Sequence, residues 1–319
     1  MSPAAEFVCE PSMVKHTPVL LDEALKALAP VANGRYLDCT FGGGGHTKAL
    51  LESAAGVEVT SLDCDPDAGL RAEPFKLKYG ERFRFVDSNF HRINEVVDGR
   101  FDGVLFDLGL SSFQLGEASK GFSFRLDAPI DMRFDPREGT AAAEFLETAS
   151  KGSLIRAVRE YGEERRWKRV VNAILEARGT GELSGTKSSA CLVERAIGGS
   201  RSRIHPATKT FQGIRIAING ELESLALALP QAFRQMRVGG ILVVISFHSL
   251  EDRITKRFFR RMAGRPEHKG DSRSVQERVC HAKMLRARAI KPGVEEIERN
   301  PRSRSAHLRA IRKLSESDL

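Results

Sequence analysis

A chain of 319 residues, 41% of them hydrophobic, buries a sizeable core and exceeds one average domain, so two domains are expected. Lys and Arg number 50 against 42 Asp and Glu, a formal charge of +8 with a pI near 9.4, which favours a polyanionic partner over an acidic small molecule. The five cysteines, Cys9, Cys39, Cys64, Cys191 and Cys280, form no Cys-x-x-Cys pair and have no histidine at ligand spacing, which argues against a disulfide framework or a zinc motif; with no signal-like start and no apolar run near the roughly 18 residues of a membrane span, no membrane and a cytoplasmic location are expected.

In chain order, residues 1–14 read as a flexible tail. Residues 35–106 alternate short apolar runs with polar helical ones, the pattern of a parallel sheet flanked by helices. Strands are predicted at 35–40, 57–62, 83–86 and 103–106. Each closes on a polar residue or glycine, and in a doubly wound α/β sheet such positions face the ligand crevice. A fifth buried strand, 241–245, follows the turn Gly239-Gly240 at a separation no single crossover needs. The intervening chain reads as helical. Trp167, Val170, Val171, Ile174 and Leu175 recur on one helix face, with Arg165, Arg166, Lys168 and Arg169 on the other. The expectation is an inserted helical substrate-recognition domain at 117–210, splitting a cofactor-binding domain into 15–116 and 211–319. His205-Pro206 opens a further helix whose apolar stripe is Ile214, Ile218, Leu222 and Leu225. After Asp252 the chain turns basic and glycine-poor, and 308–314 reads as a last edge strand.

The run Gly42 to Gly45 lies between a predicted strand and a helix, where missing side chains let a nucleoside approach the backbone. Asp38 precedes it. Asp63 ends the second strand, where a carboxylate can accept both ribose hydroxyls of either NAD or S-adenosylmethionine. The dinucleotide fingerprint fails, because its third glycine falls on Thr47. Asp38-x-Thr40-x-Gly42-x-Gly44 instead resembles the Asp-x-Gly/Thr-x-Gly-x-Gly loop of class I methyltransferases. Phe90, in Asp87-Ser88-Asn89-Phe90 after the third strand, is placed to stack on or edge an adenine, or else belongs to the core. Asp107 opens Asp107-Leu108-Gly109-Leu110-Ser111-Ser112 after the fourth strand, where methyl donor and acceptor meet.

Longer strings extend the likeness almost end to end: His16-Thr17-Pro18-Val19-Leu20-Leu21-Asp22-Glu23, Thr40-Phe41-Gly42-Gly43-Gly44-Gly45-His46, Gly121-Phe122-Ser123-Phe124, Asp131-Met132-Arg133 and Tyr161-Gly162-Glu163-Glu164-Arg165. The most specific are His205-Pro206-Ala207-Thr208-Lys209-Thr210-Phe211-Gln212 and Ser246-Phe247-His248-Ser249-Leu250-Glu251-Asp252-Arg253. On these the chain resembles the bacterial small-subunit ribosomal RNA (cytosine-N4)-methyltransferases of MraW type. Gly43, where a larger residue is common, and Lys209, where arginine is usual, depart from the pattern.

The resemblance implies a class I methyltransferase fold, Rossmann-like, with a mostly parallel seven-stranded sheet and an inserted all-helical subdomain. It implies S-adenosyl-L-methionine as cofactor, contacted by Gly44, Gly45, His46, Asp63, Phe90, Asp107 and Gln114. It also implies a cytosine in the decoding region of 16S rRNA in the 30S subunit as substrate. The acceptor amine is a poor nucleophile, its lone pair delocalised into the ring. Other amino methyltransferases meet it with an Asn/Asp-Pro-Pro-aromatic motif, whose place Asp107-Leu108-Gly109-Leu110 takes here without the prolines or the aromatic residue. Asp107 is expected to hold the methionine part of the cofactor or the amine. His248 is expected to line the target pocket and accept an amine hydrogen or the product's proton, or merely to fix a loop. No metal is required. Reaching a structured base means turning it out of its stack, with phosphate contacts to offset the cost. The donors would come from Arg165, Arg166, Lys168, Arg169, Arg201, Arg203, Lys209, Arg253, Lys256, Arg257, Arg260 and Arg261. A non-catalytic ribosome-assembly factor, an NAD-dependent oxidoreductase and a DNA amino methyltransferase are the competing readings, and the sequence leaves a homodimer open.

Overall fold

The computed structural model describes residues 18–198, 205–274 and 276–316; the tail, Cys9, the His16-Thr17 start of the first matching string, Arg201 and Arg203 lie outside them. Strands β1 (Arg35–Asp38), β2 (Glu58–Asp63), β3 (Phe83–Asp87), β4 (Phe101–Asp107), β5 (Met236–Ser246), β6 (Ala282–Met284) and β7 (His307–Lys313) form one sheet in the order β3-β2-β1-β4-β5-β7-β6. Every pairing is parallel except those of β7, which runs against β5 and β6. The order reverses between β1 and β4, and a doubly wound sheet opens its crevice at that point, beyond the carboxyl ends of the strands. There β2, β1 and β4 close on Asp63, Asp38 and Asp107.

Covered by helices on both faces, the central strands carry near-continuous apolar runs. Phe101, Val104, Leu105 and Phe106 of β4 are all buried. One face packs Leu37, Phe106 and Val244 against Leu225, Leu229 and Phe233 of the helix Glu221–Gln235 and Phe258 and Phe259 of the helix Ser249–Met262. The other packs Tyr36, Val59 and Leu105 against Leu20, Leu28 and Leu50.

A third cluster, separate from the sheet, gathers Phe122, Leu146, Leu154, Val170, Val171, Ile174, Val193 and Phe211. The helix Trp167–Glu176 turns Val170, Val171 and Ile174 into it and leaves Arg165, Arg166, Lys168 and Arg169 exposed. Two ion pairs tie this helical region to the sheet's carboxyl edge. Arg137 forks onto Asp87 at 2.7 and 2.8 Å, and Lys120 reaches Asp65 at 2.8 Å.

Two expectations are corrected. The last strand is not an edge: β6 pairs outside it, a three-residue strand too short to leave a periodic signal. The stripe from Ile214 to Leu225 is not one helix either. Gly220 takes φ 56° and ψ 36°, a left-handed conformation that glycine adopts without Cβ strain, and separates Ala207–Asn219 from Glu221–Gln235. Ile214 therefore joins the helical cluster and Leu225 the sheet core. Asn219 braces the break, its amide donating to the carbonyls of Met132 and Arg215 at 2.8 and 2.9 Å.

Phe233 is fully buried, edge-on to Phe258 at 6.1 Å between centroids. Phe233→Ala is expected to cost about 3–5 kcal/mol, read from urea unfolding midpoints. A loss under about 1 kcal/mol would mean that this face of the sheet is not packed as described.

Candidate functional site

The loop between β1 and the helix Gly45–Leu51 is built around buried carboxylates. Asp38, fully buried, accepts the Thr40 N–H at 3.1 Å and the Thr47 hydroxyl at 2.7 Å. Thr47 in turn lies 2.7 Å from the Ser61 hydroxyl on β2. The residue that breaks the dinucleotide fingerprint thus has a role of its own: it links β1, β2 and the helix. Asp63 accepts the Gly42 N–H at 2.7 Å and the Asp65 N–H at 2.9 Å, which pins the glycine loop over the end of β2. The Thr40 hydroxyl accepts the backbone N–H of Asp107 at 2.7 Å and fixes the end of β4.

Above these strand ends lies one cavity, of about 1220 Å³ with its open mouth included. Gly42, Gly43, Gly45, His46, Asp63, Phe90, Asp107 and Gln114 line it, as do Phe134 and Asn219 from the helical region and Glu221, Phe247 and Glu251 from beyond it. The structure therefore brings the residues expected at a cofactor into one wall except Gly44, and it leaves His248, expected at the target pocket, off that wall. Gly44 does not line the cavity. It is buried at φ 76°, and a Cβ there would come within 2.4 Å of the Phe75 ring, so packing beneath the loop demands this glycine. His248 is not on the wall either; its neighbours Phe247 and Glu251 are.

Around Asp107 the polar contacts are few. Its Oδ2 stands 3.5 Å from His46 Nδ1, while Oδ1 is buried with no hydrogen-bond partner among the described residues. His46 Nε2 lies 3.2 Å from the carbonyl of Val19, which can only accept, so the ring proton belongs on Nε2 and Nδ1 faces Asp107 as an acceptor. Burial first, then the charges of Asp38 and Glu251, push the Asp107 carboxyl well above the usual carboxylate range. Burial also raises Asp63, against the backbone N–H groups of Asp65 and Gly42. Gln114 closes a capping box with Ser111, which uses only its amide oxygen. Phe90 lies edge-on to Phe106, with 5.5 Å between centroids.

At the far end of the cavity stands a group the sequence reading did not single out. Arg215 forks onto Glu221 at 2.8 and 2.9 Å, and Glu251 is 3% exposed behind the start of the helix Ser249–Met262. Glu221, His248 and Glu251 bring donor atoms within 4.8 Å of one another, a spacing that suits a cation. Arg215 already fills that role for Glu221, and the group is an ion-pair network. Only its presence in the string from Ser246 to Arg253 could have marked Glu251, since spacing does not say which side chain turns inward.

A mostly parallel sheet with one reversed strand, a glycine loop after β1 and acids ending β1, β2 and β4 define a Rossmann-like class I methyltransferase. Residues 13–314 match the model of the MraW methylase family. The chain is 45% identical over 99% of its length to the ribosomal RNA small subunit methyltransferase H of Thermomicrobium roseum, 99% of which is covered. It is also 45% identical over 94% of its length to the protein of that name from Nitrosospira multiformis, 98% of which is covered. Among solved structures, an rRNA methylase from Streptococcus thermophilus aligns with 92% of this chain and 94% of its own at 10% identity and a TM-score of 0.41. The chain belongs to the MraW methylase family, and its cofactor is S-adenosyl-L-methionine. The site fits that group. Asp63 and Asp107 both line the cavity, where one carboxyl can meet a ribose and the other an ammonium or amine.

Burial raises the carboxyl of Asp38 to about 6 from its ordinary 3.8, against the Thr47 and Thr40 bonds that favour its ionised form. The folded state then binds the proton more tightly than the unfolded chain, so Asp38 lowers stability as pH rises from about 4 to about 6. Asp38→Asn keeps an acceptor for Thr40 and a donor for Thr47 and should remove that slope. Relative to the wild type, its unfolding free energy should rise between pH 4.5 and 7 by up to about 3 kcal/mol. A pH-independent difference in urea titrations would show that Asp38 does not titrate there.

Proposed function

We propose that this chain transfers a methyl group from S-adenosyl-L-methionine to the exocyclic N4 amine of a cytosine in the decoding region of 16S rRNA, within the 30S subunit. The observation that carries the reading is the single cavity that runs from Asp63 and Phe90 at one end to Asp107, Phe247 and Glu251 at the other. A nucleoside held at the first end puts its methionine part over Asp107, and the second end is free for an acceptor base. The names of the relatives, small-subunit ribosomal RNA methyltransferases, support RNA as the substrate.

In this reading Asp63 takes the ribose hydroxyls and Phe90 edges the adenine. The loop of Gly42, Gly43 and Gly45 passes close to the cofactor, with Gly44 holding its shape from below. His46, Gln114 and Asp107 address the methionine part. The cofactor supplies an already activated sulfonium methyl, so the protein's task is chiefly alignment, which contributes on the order of 7–11 kcal/mol in favourable cases. The inserted helical unit, which we assign to residues 117–219 rather than 117–210, is the substrate-recognition element, since Ala207, Phe211 and Ile214 pack in its core. Arg165, Lys168, Arg169, Lys256 and Arg257, all exposed, are cations suited to phosphates. Others are engaged within the chain: Arg166 donates to the Ile197 carbonyl, Lys209 to that of Glu163, and Arg261 lies over the Phe258 ring.

Incubation of the protein with labelled cofactor and 30S particles should yield N4-methylcytidine on nucleoside analysis, and Asp107→Ala should abolish it while RNA binding persists. Label in another nucleoside, or in DNA alone, would overturn the acceptor. Turnover unchanged in Asp107→Ala would remove that residue from the mechanism.

A further inference from the structure

The far wall of the cavity carries a buried carboxylate that caps a helix with one of its oxygens. Glu251 is the third residue of the helix Ser249–Met262 and folds back over the chain entering it, where its Oε2 accepts the N–H of Phe247 at 2.8 Å and that of His248 at 3.3 Å. Its Oε1 stands 3.2 Å from His248 Nε2. That approach is not an aligned hydrogen bond, for both ring nitrogens of His248 are buried without a hydrogen-bonded partner among the described residues. A carboxylate has about four lone-pair sites. Backbone donors take those of Oε2, no described backbone donor is placed on Oε1, and Glu251 lines the cavity.

Charge in this corner is unevenly placed. Arg215, from the helix Ala207–Asn219, is matched by Glu221 at the start of the next helix, so among the described residues Glu251 has no lysine or arginine within ion-pair distance and only His248 beside it. Burial opposes its ionisation, but the His248 imidazole, the Phe247 N–H and Arg215 outweigh burial and hold the carboxyl below the usual range. Asp107, which lines the same cavity, is shifted the opposite way. Two carboxyl groups facing one cavity with their proton affinities pushed apart mark a division of acid and base roles.

We propose that Glu251 is the catalytic residue that accepts the hydrogen of the target amine, and that His248 is its positioning residue rather than a group that meets the base. The inference rests on the reading of a cytosine amine as acceptor. As the N4–C bond forms, the C–S bond of the sulfonium breaks and its electron pair stays on sulfur. The N4 hydrogen leaves as a proton to Glu251 Oε1, so a neutral methylamine, a thioether and a protonated carboxyl result. An acceptor fixed by two backbone N–H groups suits an amine whose lone pair must be turned out of conjugation, because it constrains where the N–H bonds point.

Single-turnover methylation of 30S particles by Glu251→Gln, Glu251→Asp and His248→Asn tests the assignment, with S-adenosylmethionine affinity measured by calorimetry. Glu251→Gln retains an oxygen for the backbone cap and should lower the rate at least about 100-fold, within the range of general-base contributions, with cofactor affinity within about twofold of wild type. Glu251→Asp should recover part of the loss, and His248→Asn should cost less than Glu251→Gln. A rate for Glu251→Gln within about threefold of wild type, or a larger loss in His248→Asn, overturns the proposal. Should Glu251→Gln fail to bind cofactor at all, a structure of the wild type with S-adenosylhomocysteine and cytidine decides: N4 within hydrogen-bond reach of Oε1 supports the role, and N4 beyond about 5 Å from it refutes it. If the wild type methylates a different atom of the RNA, the reading of the acceptor falls, whereas the Glu251→Gln rate ratio still reports on Glu251 itself.

Discussion

Three carboxyl groups at the ends of adjacent parallel strands, one fully buried and two lining the cavity, are the constraint around which this protein is arranged. Asp63, Asp38 and Asp107 end β2, β1 and β4, side by side at the point where the strand order reverses. Buried acids must be hydrogen-bonded or neutral. Asp63 meets that demand with the N–H groups of Gly42 and Asp65, and Asp38 with Thr40 and Thr47. Asp107 meets it only partly, since one of its oxygens has no hydrogen-bond partner among the described residues. The glycine loop, the first turn of the following helix and the floor of the cavity are consequences of satisfying the first two acids. The third lines the cavity.

That division explains why the glycines differ in kind. Gly42 supplies an N–H to Asp63 at a positive φ, Gly43 and Gly45 line the cavity, and Gly44 is required by the Phe75 and Phe41 rings beneath it. A run of four identical residues reads as one feature in a sequence, yet it answers three separate demands. Thr47 is the converse case. Its side chain disqualifies the dinucleotide fingerprint, and its hydroxyl is what joins Asp38 to Ser61.

Much of this was legible because strand ends, apolar runs and loop spacing are local properties. β1, β2, β3 and β4 fall within two residues of their predicted bounds, and the amphipathic helix at Trp167–Glu176 buries the face its periodicity indicates. What failed to show depends on partners distant in the chain. Residues 282–284 become a strand only because β7 offers them an edge, and Met236 extends β5 by pairing with Phe101. The Gly220 break is invisible to a period that continues through it, since Ile214 and Leu225 serve different cores. At the site, the string from Ser246 to Arg253 marked the segment, but which of His248 and Glu251 lines the cavity follows from a capping geometry that spacing does not encode.

If the strand-end acids make the cofactor cleft, removing the one assigned to the ribose should weaken the cofactor and nothing else. Calorimetric titration of S-adenosylmethionine into Asp63→Ala measures this directly, set beside binding of the same variant to 30S particles. The expected result is a cofactor dissociation constant raised by about 10- to 100-fold, the size of lost hydrogen bonds to a charged group, with 30S affinity unchanged. An unaltered cofactor affinity in a folded Asp63→Ala protein would contradict the account.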